Sequence, residues 1–267
     1  MTVTTTQFAP EWLALRENAD AAARSDELLE PLRDHLPDGE LVIRDLGCGT
    51  GSMGRWLTGR LPAPQHWILT DRDPALLARA AASLPGPATA VTDERDLTLL
   101  SAADLDGTSL VTGSALLDLL TAEEVVGLAA ACVRAKVPAL LALSVVGTVA
   151  LDPVDPLDDA LRAAFNSHQR RTVDGRRLLG PDSAHAATRA FEGLGAVVHR
   201  RPSPWRLGPG QTALTAQWLQ GWVSAACEQE PGLTRDGVAY LRRRLSQCTE
   251  GELHATIEHE DLLALPG

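Results

Sequence analysis

Lysine is all but missing from this chain: among 267 residues Lys136 stands alone, and arginine carries the remaining basic charge. Acidic side chains outnumber basic ones 35 to 24, for a formal net charge of -11. The basic face that a phosphate backbone requires is lacking, so the composition argues against a nucleic-acid partner. Cysteine is scarce as well. Cys48, Cys132, Cys227 and Cys248 are scattered with no C-x-x-C pair, so neither a zinc site nor a disulfide framework is expected, and a reducing cytoplasm suits the chain. The longest apolar run, from Pro138 to Leu151, is interrupted by Ser144, Gly147 and Thr148 and falls short of a bilayer span. Met1 to Thr6 has neither the basic nor the apolar character of a secretory signal. A soluble protein without membrane association is expected. No metal is expected either: His254, Glu258 and His259 fall on an expected strand, where they do not share one face.

What is present is organised around residues 41 to 54. Leu41-Val42-Ile43 is an apolar run of the kind that fills a buried parallel strand, and Asp45 follows it just before Gly47, Gly49 and Gly51. Without a Cβ these glycines take positive φ and let a ligand approach bare main chain. A second apolar run, Trp67 to Thr70, ends in Asp71 at the spacing of a β-α-β unit. An acidic residue there is placed to accept from ribose hydroxyls, which points to an adenosine ligand. Read from Gly49, the stretch Gly49-Thr50-Gly51-Ser52-Met53-Gly54 also fits the dinucleotide pattern G-x-G-x-x-G. A nicotinamide-dependent oxidoreductase is therefore one reading of the spacing.

Asp45-Leu46-Gly47-Cys48-Gly49-Thr50-Gly51 strongly resembles the first motif of class I S-adenosylmethionine-dependent methyltransferases. In that family the loop lies along the methionine part of the cofactor and the acidic residue helps to hold its amino group. A carboxylate at Asp45 would sit badly beside a pyrophosphate, because like charges close together in a partly buried site are costly. The resemblance implies further places. Asp71 would take the ribose, Arg72 would stack on the adenine where relatives carry an apolar residue, and Asp93 and Glu94 would reach the adenine edge. Ser114 would face the cofactor pocket, and Asp118 would be a substrate contact or general base.

The remaining chain reads as helices and strands in alternation. Residues 11 to 36 form one or two helices, on which Arg16, Asp20 and Arg24 recur every four residues and share a face. They form either a solvated ion-pair ladder or the inner face of a cover in which Arg16 or Arg24 pairs with the cofactor carboxylate. Strands are expected at 66 to 70, 89 to 92, 109 to 112, 139 to 146 and 196 to 200, with a last one at 254 to 259 pairing with the sixth. Asp73-Pro74 and Thr121-x-x-Glu124 are helix starts. His168, in an insertion after the fifth strand, has a side chain suited to proton transfer near neutrality. The arginines beside it, Arg170, Arg171, Arg176 and Arg177, are candidates to hold an anionic group. Trp218 and Trp222 read as core.

The sequence thus predicts a single α/β domain over 1–267, with a helical N-terminal cover (1–39), a cofactor-binding half (40–150) and a substrate-side half with insertions (151–267). Its centre is a Rossmann-like, seven-stranded, mostly parallel sheet with helices on both faces and a helical insertion before the last strand. The function expected is methyl transfer from S-adenosyl-L-methionine to a small-molecule acceptor. The alternatives are a nicotinamide-dependent oxidoreductase and a cofactor-binding domain without turnover.

Overall fold

The computed structural model describes residues 9–62 and 64–267; the first six residues, where no secretory signal is expected, lie outside that range. Five parallel strands come first: β1 (Leu41–Leu46), β2 (Gln65–Asp71), β3 (Thr89–Glu94), β4 (Leu110–Ser114) and β5 (Ala139–Asp152). They are followed by β6 (Val197–Pro202) and β7 (His254–Leu265). In space the order is β3-β2-β1-β4-β5-β7-β6, with β7 antiparallel to both neighbours. This is the Rossmann-like sheet expected from the sequence. The last strand differs. Its predicted portion, 254 to 259, pairs with an extension of β5 and with a short strand at Trp205–Leu207, while residues 260 to 265 pair with β6. Glu260 and Asp261 hid the later half, in which Asp261 to Leu265 are buried between β5 and β6.

Helices cover both faces. On one side α2 (Leu29–Arg33), α3 (Ser52–Thr58) and α4 (Pro74–Ala82) bury Leu32, Met53, Leu57 and Ala80 against Ile43, Trp67 and Leu69. On the other, α5 (Ala122–Ala135) and α7 (Ser183–Gly193) bury Leu128, Cys132 and Phe191 against Val111, Leu141 and Leu262. The start signals act as expected. Asp73 accepts from the Ala75 and Leu76 amides at 2.8 and 3.4 Å, and Thr121 and Glu124 close a reciprocal capping box at 2.9 and 3.2 Å.

A third core stands on the protruding ends of β5 and β7. Here α6 (Asp158–Gln169), α8 (Thr212–Gln229) and α9 (Thr234–Glu250) meet around Trp222 and Tyr240, with α1 (Pro10–Ala23) packed alongside. Trp222 is buried and stacked on Trp218 at 5.3 Å, so the tryptophan pair belongs to the core. The Tyr240 hydroxyl donates to Asp158 at 2.6 Å, and Arg244 grips the same carboxylate at 2.7 and 2.8 Å. That bidentate pair ties α9 to α6. A small hairpin, Thr172–Val173 with Arg176–Arg177, follows α6 and was not foreseen.

Candidate active site

The chain leaves β1 through Gly47 and Gly49, at φ 61° and 54°, and enters α3 from Gly51 at φ 86°. A Cβ on Gly49 would come within 3.2 Å of Leu13 on α1, and one on Gly51 within 3.1 Å of Ala80 on α4. The first glycines thus let the loop and its cover approach a ligand, while Gly51 allows α3 and α4 to pack. β1 and β4 send their following helices to opposite faces of the sheet, and a cavity of about 700 Å³ opens at the carboxyl ends of the strands there. That divergence is where open α/β sheets bind ligands.

Asp45 lies at the floor. It is 1% exposed, and its Oδ1 accepts from the Thr112 hydroxyl at 2.8 Å, the residue opposite it in the β1–β4 register. Its Oδ2 is buried with no hydrogen-bond partner among the described residues. Burial pushes its pKa up to about 6, against the Thr112 hydrogen bond and the charge of Arg24. An unpaired buried carboxylate oxygen facing a cavity is a strained arrangement that a cationic donor would relieve. Asp71 also lines the cavity. Its two oxygens accept from the Gly49 and Asp73 amides at 2.9 and 3.0 Å, which fixes the carboxylate and leaves each oxygen a second lone pair.

The face shared by Arg16, Asp20 and Arg24 turns inward, so no solvated ladder forms. Asp20 and Arg24 are each 4% exposed. Arg16 donates through Nε to Asp20 at 2.9 Å and lies 5.0 Å over the Trp205 ring, and it lines the cavity. Arg24 sits deeper, donating to the Ser52 and Ser114 hydroxyls at 3.2 and 3.0 Å, both of which line the cavity. Its Nε and Nη1 are buried without partners among the described residues. Burial lowers its pKa from the ordinary arginine value, and Asp20, Asp261 and Asp45 oppose that shift.

At the opposite wall of the glycine loop the expected adenine contacts need correction. Asp93 is turned to Arg44, at 2.6 Å, and to Arg95, at 3.3 Å, and Glu94 is exposed; neither lines the cavity. The carboxylate that does so is Asp96. It caps the turn Leu97–Leu99, accepting from the Thr98 amide and hydroxyl at 3.0 and 2.7 Å. Arg72, expected to stack on a ring, pairs with Asp96 at 2.5 Å, and both lie on the rim of the cavity. Burial raises the Asp96 pKa, but Arg72 and Thr98 outweigh it and hold the carboxyl at about 2. The short β3 hid this: it runs two residues beyond its expected end, which carries the loop carboxylate along to Asp96.

The acceptor-side candidates part company. Ser114 lines the cavity beside Ala115, whose φ of 51° is a strained conformation for a non-glycine residue. Asp118 follows in a turn whose neighbours Leu116 and Leu119 line the wall. Asp118 itself does not line the cavity: its Oδ1 is buried with no partner among the described residues, burial pushes its pKa up to about 6, and the charges of Arg16 and Arg171 act against that rise. His168 is not brought to the cavity. It lies on α6 with Nε2 3.5 Å from Glu228 of α8 and Nδ1 3.4 Å from Arg171, because the insertion is helical there and turns the ring to the third core. Burial and Arg171 lower its pKa.

The contributions of Asp20, Asp96, Thr98 and the hairpin residues Val173 and Asp174 to this cavity had only weak signals in the sequence. Asp96-Leu97-Thr98 is itself a capping pattern that marks its carboxylate as fixed. Among the described residues no cluster of three metal-ligating side chains occurs, and no helix is long and apolar enough to cross a membrane.

No family model matches the chain, and no curated protein matches it in sequence. Solved structures resemble it distantly. The cyclopropane synthase MmaA2 from Mycobacterium tuberculosis is 11% identical, covering 98% of this chain and 100% of that one, with a TM-score of 0.48. A SAM-dependent methyltransferase from Geobacter sulfurreducens, in complex with S-adenosyl-L-homocysteine, is 17% identical over 97% and 99%, with a TM-score of 0.47. An N-methyltransferase from Haemonchus contortus, in complex with phosphomonomethylethanolamine and S-adenosylhomocysteine, is 11% identical over 99% of this chain and 60% of that one, with a TM-score of 0.48. By its strand order, its reversed β7 and its glycine loop after β1, the chain has a Rossmann-like fold.

Proposed function

We propose that this protein transfers a methyl group from S-adenosyl-L-methionine to a small-molecule acceptor. One observation carries the reading: Asp45, which lines the cavity beside the glycine loop, has a buried carboxylate oxygen with no hydrogen-bond partner among the described residues. That oxygen suits an ammonium group and would repel a pyrophosphate, which favours the sulfonium cofactor over a nicotinamide dinucleotide. The residues fit the group along its whole length. Asp45 would hold its amino group, and Arg24, with two unpartnered nitrogens behind Ser52 and Ser114, its carboxylate. Asp71 would accept from the ribose, and Asp96 and Thr98 would flank the base.

When bound, the cofactor supplies an electrophilic methyl carbon, so the work of the chain is alignment and exclusion of water. Leu116, Leu119 and Leu178 form an apolar wall at the acceptor end. Asp118 would take the acceptor's proton when that acceptor is a hydroxyl or an acidic C–H. Its pKa near 6 makes it mostly ionised at neutrality yet more basic than a free aspartate. The deciding experiment is native mass spectrometry of the protein with equimolar S-adenosylhomocysteine and NAD. Retention of the first supports the proposal; retention of NAD alone overturns it.

A further inference from the structure

Every cavity-lining cation except one is matched to a carboxylate. Arg72 is paired with Asp96 at 2.5 Å, Arg176 with Glu124 at 2.8 and 2.6 Å, and Arg16 with Asp20 at 2.9 Å. Arg171 differs. Among the described residues it has no carboxylate at ion-pair distance, and its bonds go to the carbonyl and ring of His168 at 3.1 and 3.4 Å. It stands at the end of α6 where the hairpin begins, and it lines the same wall as Arg16. Arg16 offers a second donor set. Asp20 occupies only its Nε, while the Trp205 indole holds the other oxygen of Asp20 at 2.9 Å and supports the guanidinium from below. Among the described residues no hydrogen bond occupies the two terminal nitrogens of Arg16, whose side chain lines the cavity.

The cavity is therefore polarised. Asp45 and Asp71 make the glycine-loop end negative, whereas at the far end Arg171, with no carboxylate at ion-pair distance among the described residues, lines the cavity with Leu116, Leu119 and Leu178. A guanidinium without a bonded carboxylate disfavours a cationic acceptor there and offers its donors to one anionic group. We propose that the acceptor is an organic monoanion, a carboxylate on an apolar body, gripped by Arg16 and Arg171. The inference rests on the methyl-transfer reading for the identity of the site's reaction, and its own content is the charge and shape of the second ligand. Guanidinium groups favour carboxylates through paired, charge-assisted hydrogen bonds.

The test uses the full chain, with and without S-adenosylhomocysteine. Aromatic and medium-chain aliphatic monocarboxylates, each matched with its neutral amide, are titrated while tryptophan emission is followed, since Trp12 and Trp205 flank Arg16 at 6.0 and 5.0 Å. Acids should bind and their amides should not. Arg171→Gln and Arg16→Gln should each weaken the acid by roughly tenfold or more, with Arg171→Lys recovering part of it. S-adenosylhomocysteine affinity should stay unchanged in Arg171→Gln, which also shows that the variant is folded. Equal binding of acids and amides, binding of neither, or unaltered acid affinity in Arg171→Gln overturns the inference. Failure of S-adenosylhomocysteine to bind the unmodified protein is a separate result that sinks the methyl-transfer reading instead.

Discussion

The two ends of the cavity are built differently. At the glycine-loop end each polar group is set by strand register and main chain: Asp45 stands opposite Thr112, and Asp71 is held by the Gly49 and Asp73 amides. At the far end the groups come from separate segments, Arg16 from α1 and Arg171 from the end of α6, with Asp118 in the turn after β4 behind the leucine wall, and each arginine is held by its own neighbour, Asp20 or His168. The first arrangement is a property of one β-α-β unit. The second exists only when distant parts of the chain have docked. It follows that changes at the loop end should act on cofactor affinity, and changes at the far end on turnover or acceptor binding.

The largest effect should come from Asp45→Asn, which keeps the Thr112 contact but removes the charge. We expect S-adenosylhomocysteine affinity to fall by on the order of 2–3 kcal/mol, read by calorimetry. The fold should not suffer in parallel. Because burial raises the Asp45 pKa to about 6, the folded chain binds this proton more tightly than the unfolded chain, and the cost of ionising it grows as pH rises from the ordinary aspartate range through 6. The variant should therefore gain stability relative to the parent at pH 8 over pH 4, by up to about 2 kcal/mol in denaturant melts. A matching loss of affinity and stability would mean that Asp45 is a structural residue.

Next in size is Asp118→Asn, expected to lower turnover by roughly 10²- to 10⁴-fold with cofactor affinity intact. In the parent, kcat should rise with pH through about 6 as Asp118 ionises, and that limb should vanish in the variant. Full activity with an unchanged profile would remove the base from the mechanism. A paired substitution sharpens the corrected adenine wall. Asp96→Ala should weaken S-adenosylhomocysteine by about 1 kcal/mol, through loss of the Arg72 pair and the Thr98 turn, whereas Asp93→Ala, which breaks only the Arg44 and Arg95 pairs, should leave it unaltered. Reversal of that ranking would restore the original assignment. The smallest effect is expected for His168→Ala: kcat within about twofold of the parent, since the ring faces Glu228 and not the cavity.

The glycine-loop end was legible because its determinants are local. Glycines that need positive φ, a carboxylate closing each of two strands and two helix caps all act within a few residues of their partners, so spacing along the chain specifies them. Asp93 misled because a strand that runs two residues longer than its apolar core suggests moves the loop carboxylate along with it. His168 misled because residue chemistry does not reveal which way a helix is turned. The arginine ladder on α1 was readable as a shared face, but whether that face met water or the sheet depended on Ser114 and Trp205, which lie 90 and 185 positions away from their partners Arg24 and Asp20.

The sequence by itself determined the β-α-β cradle, with Asp45, Gly47, Gly49 and Asp71 in place, because each of those choices follows from backbone conformation and strand periodicity within one short stretch. Only the tertiary structure decided which cavity arginines are bonded to carboxylates and which one, Arg171, has none at ion-pair distance among the described residues. Ion pairing and burial depend on segments far apart in the chain, and the charge of a site is the sum of what remains after they have packed.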